Sequence, residues 1–179
     1  MNSMLDEKGL RFIFQEGWRV LKYDDSSFHR NQFQSFAGGS KAVDFVAISP
    51  DGRDVWLIEV KDYRQQQRAK SVSVFDEVAA KVRATLAGLA TARVRANDAE
   101  EYKFADLTMR GSRIRVALHL EQPEKTSRLR PQIIDPASSF QKMRQVMRAV
   151  DPHAICCGHG VRKQSLPWAV ERIAQAPSD

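Results

Sequence analysis

Residues 42–64, AVDFVAISPDGRDVWLIEVKDYR, decide the fold. They form two apolar runs, Ala42 to Ser49 and Val55 to Val60, joined by a short polar turn. Ser49-Pro50-Asp51-Gly52 suits a type I turn, with proline fixing φ at the second position and glycine at the fourth. A four-residue loop of Pro50 to Arg53 pairs Ser49 with Asp54, and that register places Asp44 directly opposite Glu59. Side chains alternate along a strand, so Lys61 shares the face of Glu59. The spacing predicts two carboxylates and one ammonium on one face of one hairpin.

On a solvated sheet such a cluster would be a cross-strand ion pair contributing ~0.2–1 kcal/mol. The surrounding residues argue for more. Val43 and Phe45 to Ile48 are apolar, as are Val55 to Ile58 and Val60. Near-continuous apolar strands are covered on both faces, and charges there are costly unless paired or bound to metal.

Asp44, a spacer of strand and turn, then Glu59-Val60-Lys61 resembles the Asp…Glu-x-Lys signature of the PD-(D/E)XK nuclease superfamily. Val43 stands where the family pattern often has proline. The resemblance implies an α/β, restriction-endonuclease-like three-layer fold with a mixed central β-sheet flanked by helices. It implies metal-dependent hydrolysis of phosphodiester bonds in nucleic acid, DNA being the expected substrate. Asp44, Glu59 and the Val60 carbonyl would hold Mg²⁺ or Mn²⁺, oxygen donors suited to hard cations. Lys61 would orient or deprotonate the attacking water, or neutralise charge developing on phosphorus. A glutamate from the first helix often joins such sites; Glu7 takes that role here, with Glu16 as second choice. Cutting both strands from a one-site domain needs two copies, which would make the protein a homodimer. The rival expectation is a catalytically inactive nuclease-fold module that binds nucleic acid or a protein partner.

Composition agrees with a single domain spanning residues 1–179. Hydrophobic residues make up 42% and charged residues 28%, ordinary values for a globular chain. The net charge of +6 is compatible with a polyanionic partner. No apolar run approaches the length of a membrane span, and the N-terminus lacks the pattern of a signal peptide. The two cysteines, Cys156 and Cys157, are adjacent and give no disulfide framework, which points to the cytoplasm.

Along the chain, Ser3 to Glu16 reads as an amphipathic helix stopped by Gly17, and Trp18 to Tyr23 as a strand. The polar segment Asp24 to Lys41 interleaves Phe28, Phe33 and Phe36 with basic residues. That pattern serves either base stacking or the tucking of a long loop onto the core. Beyond the hairpin, Arg64, Arg68 and Lys70 stand where a nucleic-acid backbone would pass. Ser71 or Ser73 caps a helix whose stripe is Phe75, Val78, Val82, Leu86 and Leu89. Ser112 to Leu120 alternates as a strand with a basic side formed by Arg113, Arg115 and His119. Asp135-Pro136 opens another helix ending near Val150. Cys156 and Cys157 lie on a last strand; adjacent cysteines point to opposite faces, which argues against a zinc site. Trp168 to Ala174 reads as a short closing helix.

Overall fold

The computed structural model describes residues 2–64, 72–123, 136–158 and 165–173. Its centre is a five-stranded mixed sheet of order β3-β4-β5-β6-β7, formed by Arg19–Lys22, Phe45–Ile48, Asp54–Asp62, Arg113–Glu121 and Ile155–Cys157. β3, β4 and β5 run antiparallel, whereas β6 pairs parallel to β5 and β7 parallel to β6. The parallel connections carry helices, as a crossover requires: α1 (Val74–Arg95) and α2 (Ala99–Arg110) between β5 and β6, α3 (Pro136–Met147) between β6 and β7.

The expected β4–β5 hairpin is present, with Ile48 paired to Val55 and Phe45 to Ile58. Gly52 N–H donates to Ser49 O at 2.9 Å, and Ser49 N–H donates to Asp54 O at 2.9 Å. Alternation along these strands feeds two cores. Val46, Leu57, Val116, Leu118 and Cys156 pack with Val78, Val82 and Leu89 of α1 and Met143 of α3. Phe45, Ala47, Trp56, Ile58, Ala117 and Cys157 face the other way.

That second face is covered by strands where a helix was expected. Residues 3–16 do not form a helix: β1 (Met4–Glu7) and β2 (Leu10–Phe14) make a hairpin, and Trp168–Arg172 forms β8 where a closing helix was expected. The three pair antiparallel in the order β1-β2-β8. Glu7 pairs with Leu10, leaving Lys8-Gly9 as a two-residue loop with φ of 49° and 73°. Positive φ at both positions is what a type I′ hairpin turn demands. Leu10, Phe12 and Phe14 are buried while Arg11 is exposed, a period of two rather than 3.6. Phe14 and Trp168 pack 5.7 Å apart, and Trp168 meets Trp56 edge-on at 5.2 Å. The mixed sheet is thus covered by helices on one face and by a small sheet on the other.

The remaining elements follow local chemistry. Ser73 caps α1 through its side chain, and Asp98 caps α2 by accepting from Glu100 N–H and Glu101 N–H. α2 was not foreseen; its buried side is limited to Ala105 and Thr108. The basic side of β6 is solvated only at its start, Arg113. The Arg115 guanidinium stacks over Trp56 at 5.1 Å, and His119 is buried against Phe12. Phe28 and Phe33 tuck the 24–41 segment onto the core, and Phe36 is exposed. Among the described residues no helix is long and apolar enough to cross a membrane.

The hairpin makes a sharp distinction at neighbouring positions. Leu10→Ala removes a fully buried side chain and should cost about 2–5 kcal/mol in denaturant unfolding. Ile13→Ala, on the more open face of β2, should cost under about half of that. Equal losses would fit the helix instead.

Candidate functional site

The β4–β5 register brings Asp44 and Glu59 together at one end of the hairpin, on the face toward α1. Both are enclosed, Asp44 at 2% exposure and Glu59 at 0%. Carboxylates this deep require cations or hydrogen-bond donors, and both are supplied. Asp44 Oδ2 accepts Val60 N–H at 2.5 Å, which ties the start of β4 across to β5. Glu59 Oε1 lies 2.8 Å from Lys61 Nζ and 2.7 Å from Lys81 Nζ, and its Oε2 lies 2.8 Å from Lys81 Nζ. Lys61 is held from its other side by Glu77 Oε1 at 2.7 Å.

Glu77 and Lys81 were not foreseen. They are four apart on α1 and so share a helix face; two charges beside the Val78 and Val82 stripe were the available signal. Lys8 was missed too, because a helical reading of residues 3–16 turns it away from the core. From the β1–β2 turn, Lys8 Nζ donates to Val60 O at 2.7 Å. It lies 3.4 Å from both Asp44 carboxylate oxygens and 3.1 Å from Glu7 Oε1.

Glu7 belongs to a strand, not a helix, yet it reaches this cluster from the end of β1. Carboxylate oxygens of Glu7, Asp24 and Asp44 all lie within 4.8 Å of one another. Asp24 is carried by the turn after β3, where Tyr23 N–H donates to Asp44 O at 2.9 Å. Lys22 bridges Glu7 and Asp25 at 3.0 Å each. Glu16 is exposed beyond the end of β2. A Cβ on the adjacent Gly17 would stand 3.0 Å from Pro50, at the far end of the β4–β5 hairpin. Of the two candidate glutamates, Glu7 is the one near Asp44.

Charges respond to this crowding. Burial, then the charge of Asp44, pushes Glu59 up, with Lys81 and Lys61 opposing. Burial and the neighbouring Asp44, Glu7 and Asp25 push Asp24 up to about 6. Burial would raise Glu7, but Lys22 and Lys8 outweigh it and hold it below the usual range. Burial alone would lower Lys61; its contacts with Glu59 and Glu77 win and raise it. Without a metal ion, Lys61 is therefore held as a protonated ammonium in this arrangement.

The donor set fits a hard divalent cation. Asp44 and Glu7 carboxylates and the Val60 carbonyl converge on one point, and that point already receives a cation, the Lys8 ammonium. Glu59 is engaged on both oxygens by lysines. Arg64 is paired to Asp62 at 2.6 Å, near the Lys8-Gly9 turn. Arg68 and Lys70 lie outside the described residues. Cys156 and Cys157 are buried free thiols on opposite faces of the sheet. Burial pushes Cys156 up to about 11, far from a metal-binding thiolate at neutral pH.

No family model matches the chain, and no solved structure matches it. The chain is 26% identical over 208 residues to a protein named cysteine–tRNA ligase from Neisseria meningitidis serogroup A. The match covers 94% of this chain and 30% of that relative, so the chain spans about 30% of the relative's length.

Two expectations follow for the metal-free protein, measured in chelator. Lys81→Met leaves Glu59 buried with one cation fewer and should destabilise by about 3 kcal/mol. Asp24 has a folded pKa raised above its unfolded value, so the folded state binds more protons between about pH 4 and 6. Its contribution is present below about pH 4 and lost as pH rises through about 6. Asp24→Asn should accordingly stabilise at pH 7.5 and lose that advantage by about pH 3.5, read as the difference in unfolding free energy across pH.

Proposed function

We propose that this chain is a metal-dependent nuclease of the PD-(D/E)XK type, hydrolysing phosphodiester bonds of DNA with Mg²⁺ or Mn²⁺. The observation that carries the reading is the convergence of Asp44, Glu59 and Lys61 on one enclosed face at the end of β4 and β5. The mixed sheet with helical crossovers is compatible with a restriction-endonuclease-like fold.

Asp44, the Val60 carbonyl and Glu7 would hold the cation, with Asp24 beside them and Glu59 across the strand pair. When bound, such an ion polarises a phosphoryl oxygen and acidifies its water. The chain's own residues do the rest. Lys61, fixed between Glu59 and Glu77, presents a permanent positive charge to the phosphorane-like transition state. Lys81 neutralises Glu59 so that two buried carboxylates do not repel an approaching phosphate. Arg64, at the margin, positions the backbone without reading sequence. The +6 net charge favours a polyanion.

A second reading has an observation in its favour. Lys8, Lys61 and Lys81 balance much of the acidic cluster by themselves, as a nucleic-acid-binding module without catalysis would require. The relative's name adds tRNA to the substrates worth testing.

The decisive experiment is cleavage of plasmid, single-stranded DNA, RNA and tRNA with Mg²⁺ or Mn²⁺. Asp44→Asn and Lys61→Ala should each lower the rate about a thousandfold or more. Arg64→Ala should mainly weaken binding and flatten its log–log salt slope by about one unit. Parent-like cleavage by both site variants would sink the assignment. Nucleic-acid binding with no cleavage and no metal affinity would establish the second reading.

A further inference from the structure

We propose that Lys8 is a tethered counter-cation: it occupies the divalent-cation position between the Asp44 carboxylate and the Val60 carbonyl, and must withdraw before a metal ion binds. The inference rests on the metal-dependent reading above and adds a residue outside the Asp…Glu-x-Lys signature.

Three residues define the seat. Lys8 Nζ is 2.7 Å from Val60 O, 3.4 Å from both Asp44 oxygens and 3.1 Å from Glu7 Oε1. One carbonyl and two carboxylates are what a hard cation takes as ligands. An ammonium and a divalent ion cannot share that seat, since like charges at contact distance in a poorly solvated site repel strongly.

The tether is equally specific. Lys8 and Gly9 are the two loop residues of the β1–β2 hairpin, with φ of 49° and 73°, and Glu7 pairs with Leu10 immediately behind them. The backbone of the turn is thereby fixed against the β2 and β8 strands, so Lys8 enters the site on its side chain alone. Its four-carbon stem reaches in and can rotate out without a backbone change. At 36% side-chain exposure Lys8 has a path to solvent, unlike Lys61 at 13% and Lys81 at 12%. Those two sit tightly on Glu59, Lys81 reaching Asp44 only at 3.9 Å and Lys61 also held by Glu77, whereas Lys8 contacts Asp44 and Glu7. The division of labour leaves one removable cation and two permanent ones.

The consequence is a site that remains neutralised without metal and binds metal less tightly than its ligands would alone. Calorimetric titration of Mn²⁺ and Mg²⁺ into the full chain, without nucleic acid, tests it on four proteins: the parent, Lys8→Gln, Lys8→Arg and Lys22→Gln. Lys8→Gln should bind both ions about tenfold more tightly or better, and Lys8→Arg should stay near the parent. Lys22→Gln removes the same charge from Glu7 but none from Asp44 or Val60, and should change affinity by less than about threefold. In chelator, Lys8→Gln should melt below the parent, and saturating Mn²⁺ should close that gap. The inference is overturned if Lys8→Gln binds no more tightly than the parent, or if Lys22→Gln gains as much. In either case a parent that binds metal leaves the nuclease reading standing. If neither the parent nor Lys8→Gln binds either ion, the inference and the metal-dependent reading fall together.

Discussion

Two carboxylates, Asp44 and Glu59, face each other across β4 and β5 with almost no access to water. Leaving them ionised there is costly unless positive charge is brought to them. The fold brings it from three directions. Lys61 comes from β5 itself, Lys81 from α1 in the helical layer, and Lys8 from the β1–β2 turn in the opposite layer. One electrostatic demand therefore pins the helices, the central sheet and the small sheet to a common point. Shifting any of these layers would strand a buried charge, which makes the relative placement of the layers and the state of the site inseparable.

The β4–β5 hairpin was legible because its signals are local and redundant. Pro50 and Gly52 specify the turn, the turn specifies the register, and the register aligns Asp44 with Glu59. Ser73 and Pro136 likewise mark helix starts that the structure bears out. Residues 4–14 misled because Leu5, Phe12 and Ile13 satisfy a helical stripe while Leu10, Phe12 and Phe14 satisfy a strand. Gly9 was the deciding feature, and it reads as a turn. Trp168 to Arg172 is a strand because β2 offers it an edge, which no local pattern reveals. Asp98 followed by Glu100 and Glu101 did announce α2; its thin apolar face hid it.

The misread local structure did not remove Glu7 from the neighbourhood of Asp44. Glu7 ends β1 beside Asp44, and the chain then runs through β2 to Gly17 at the far end of the hairpin before β3 returns toward Asp44. What could not be read in advance were the partners: Lys81, Glu77 and Asp24 are distant in sequence and meet the hairpin only after the layers close. Their residue types are ordinary on a helix or a turn. Position alone gives them meaning.

The two carboxylates of the motif are not equivalent. Glu59 is saturated by ammonium groups that α1 and β5 hold in place, and burial raises its proton affinity. Asp44 is anchored by one backbone N–H and lies nearest to Lys8, the most exposed of the three cations, with Lys81 farther off at 3.9 Å. The pair is thus asymmetric, with Asp44 beside the more exposed Lys8 and Glu59 held by lysines that have no comparable route to solvent. The same asymmetry constrains Lys61. Glu59 and Glu77 raise its proton affinity from both sides, so it keeps its proton across the physiological range and acts as a fixed charge. Glu77 shares Lys61 with Glu59 and so fixes the direction in which that ammonium points.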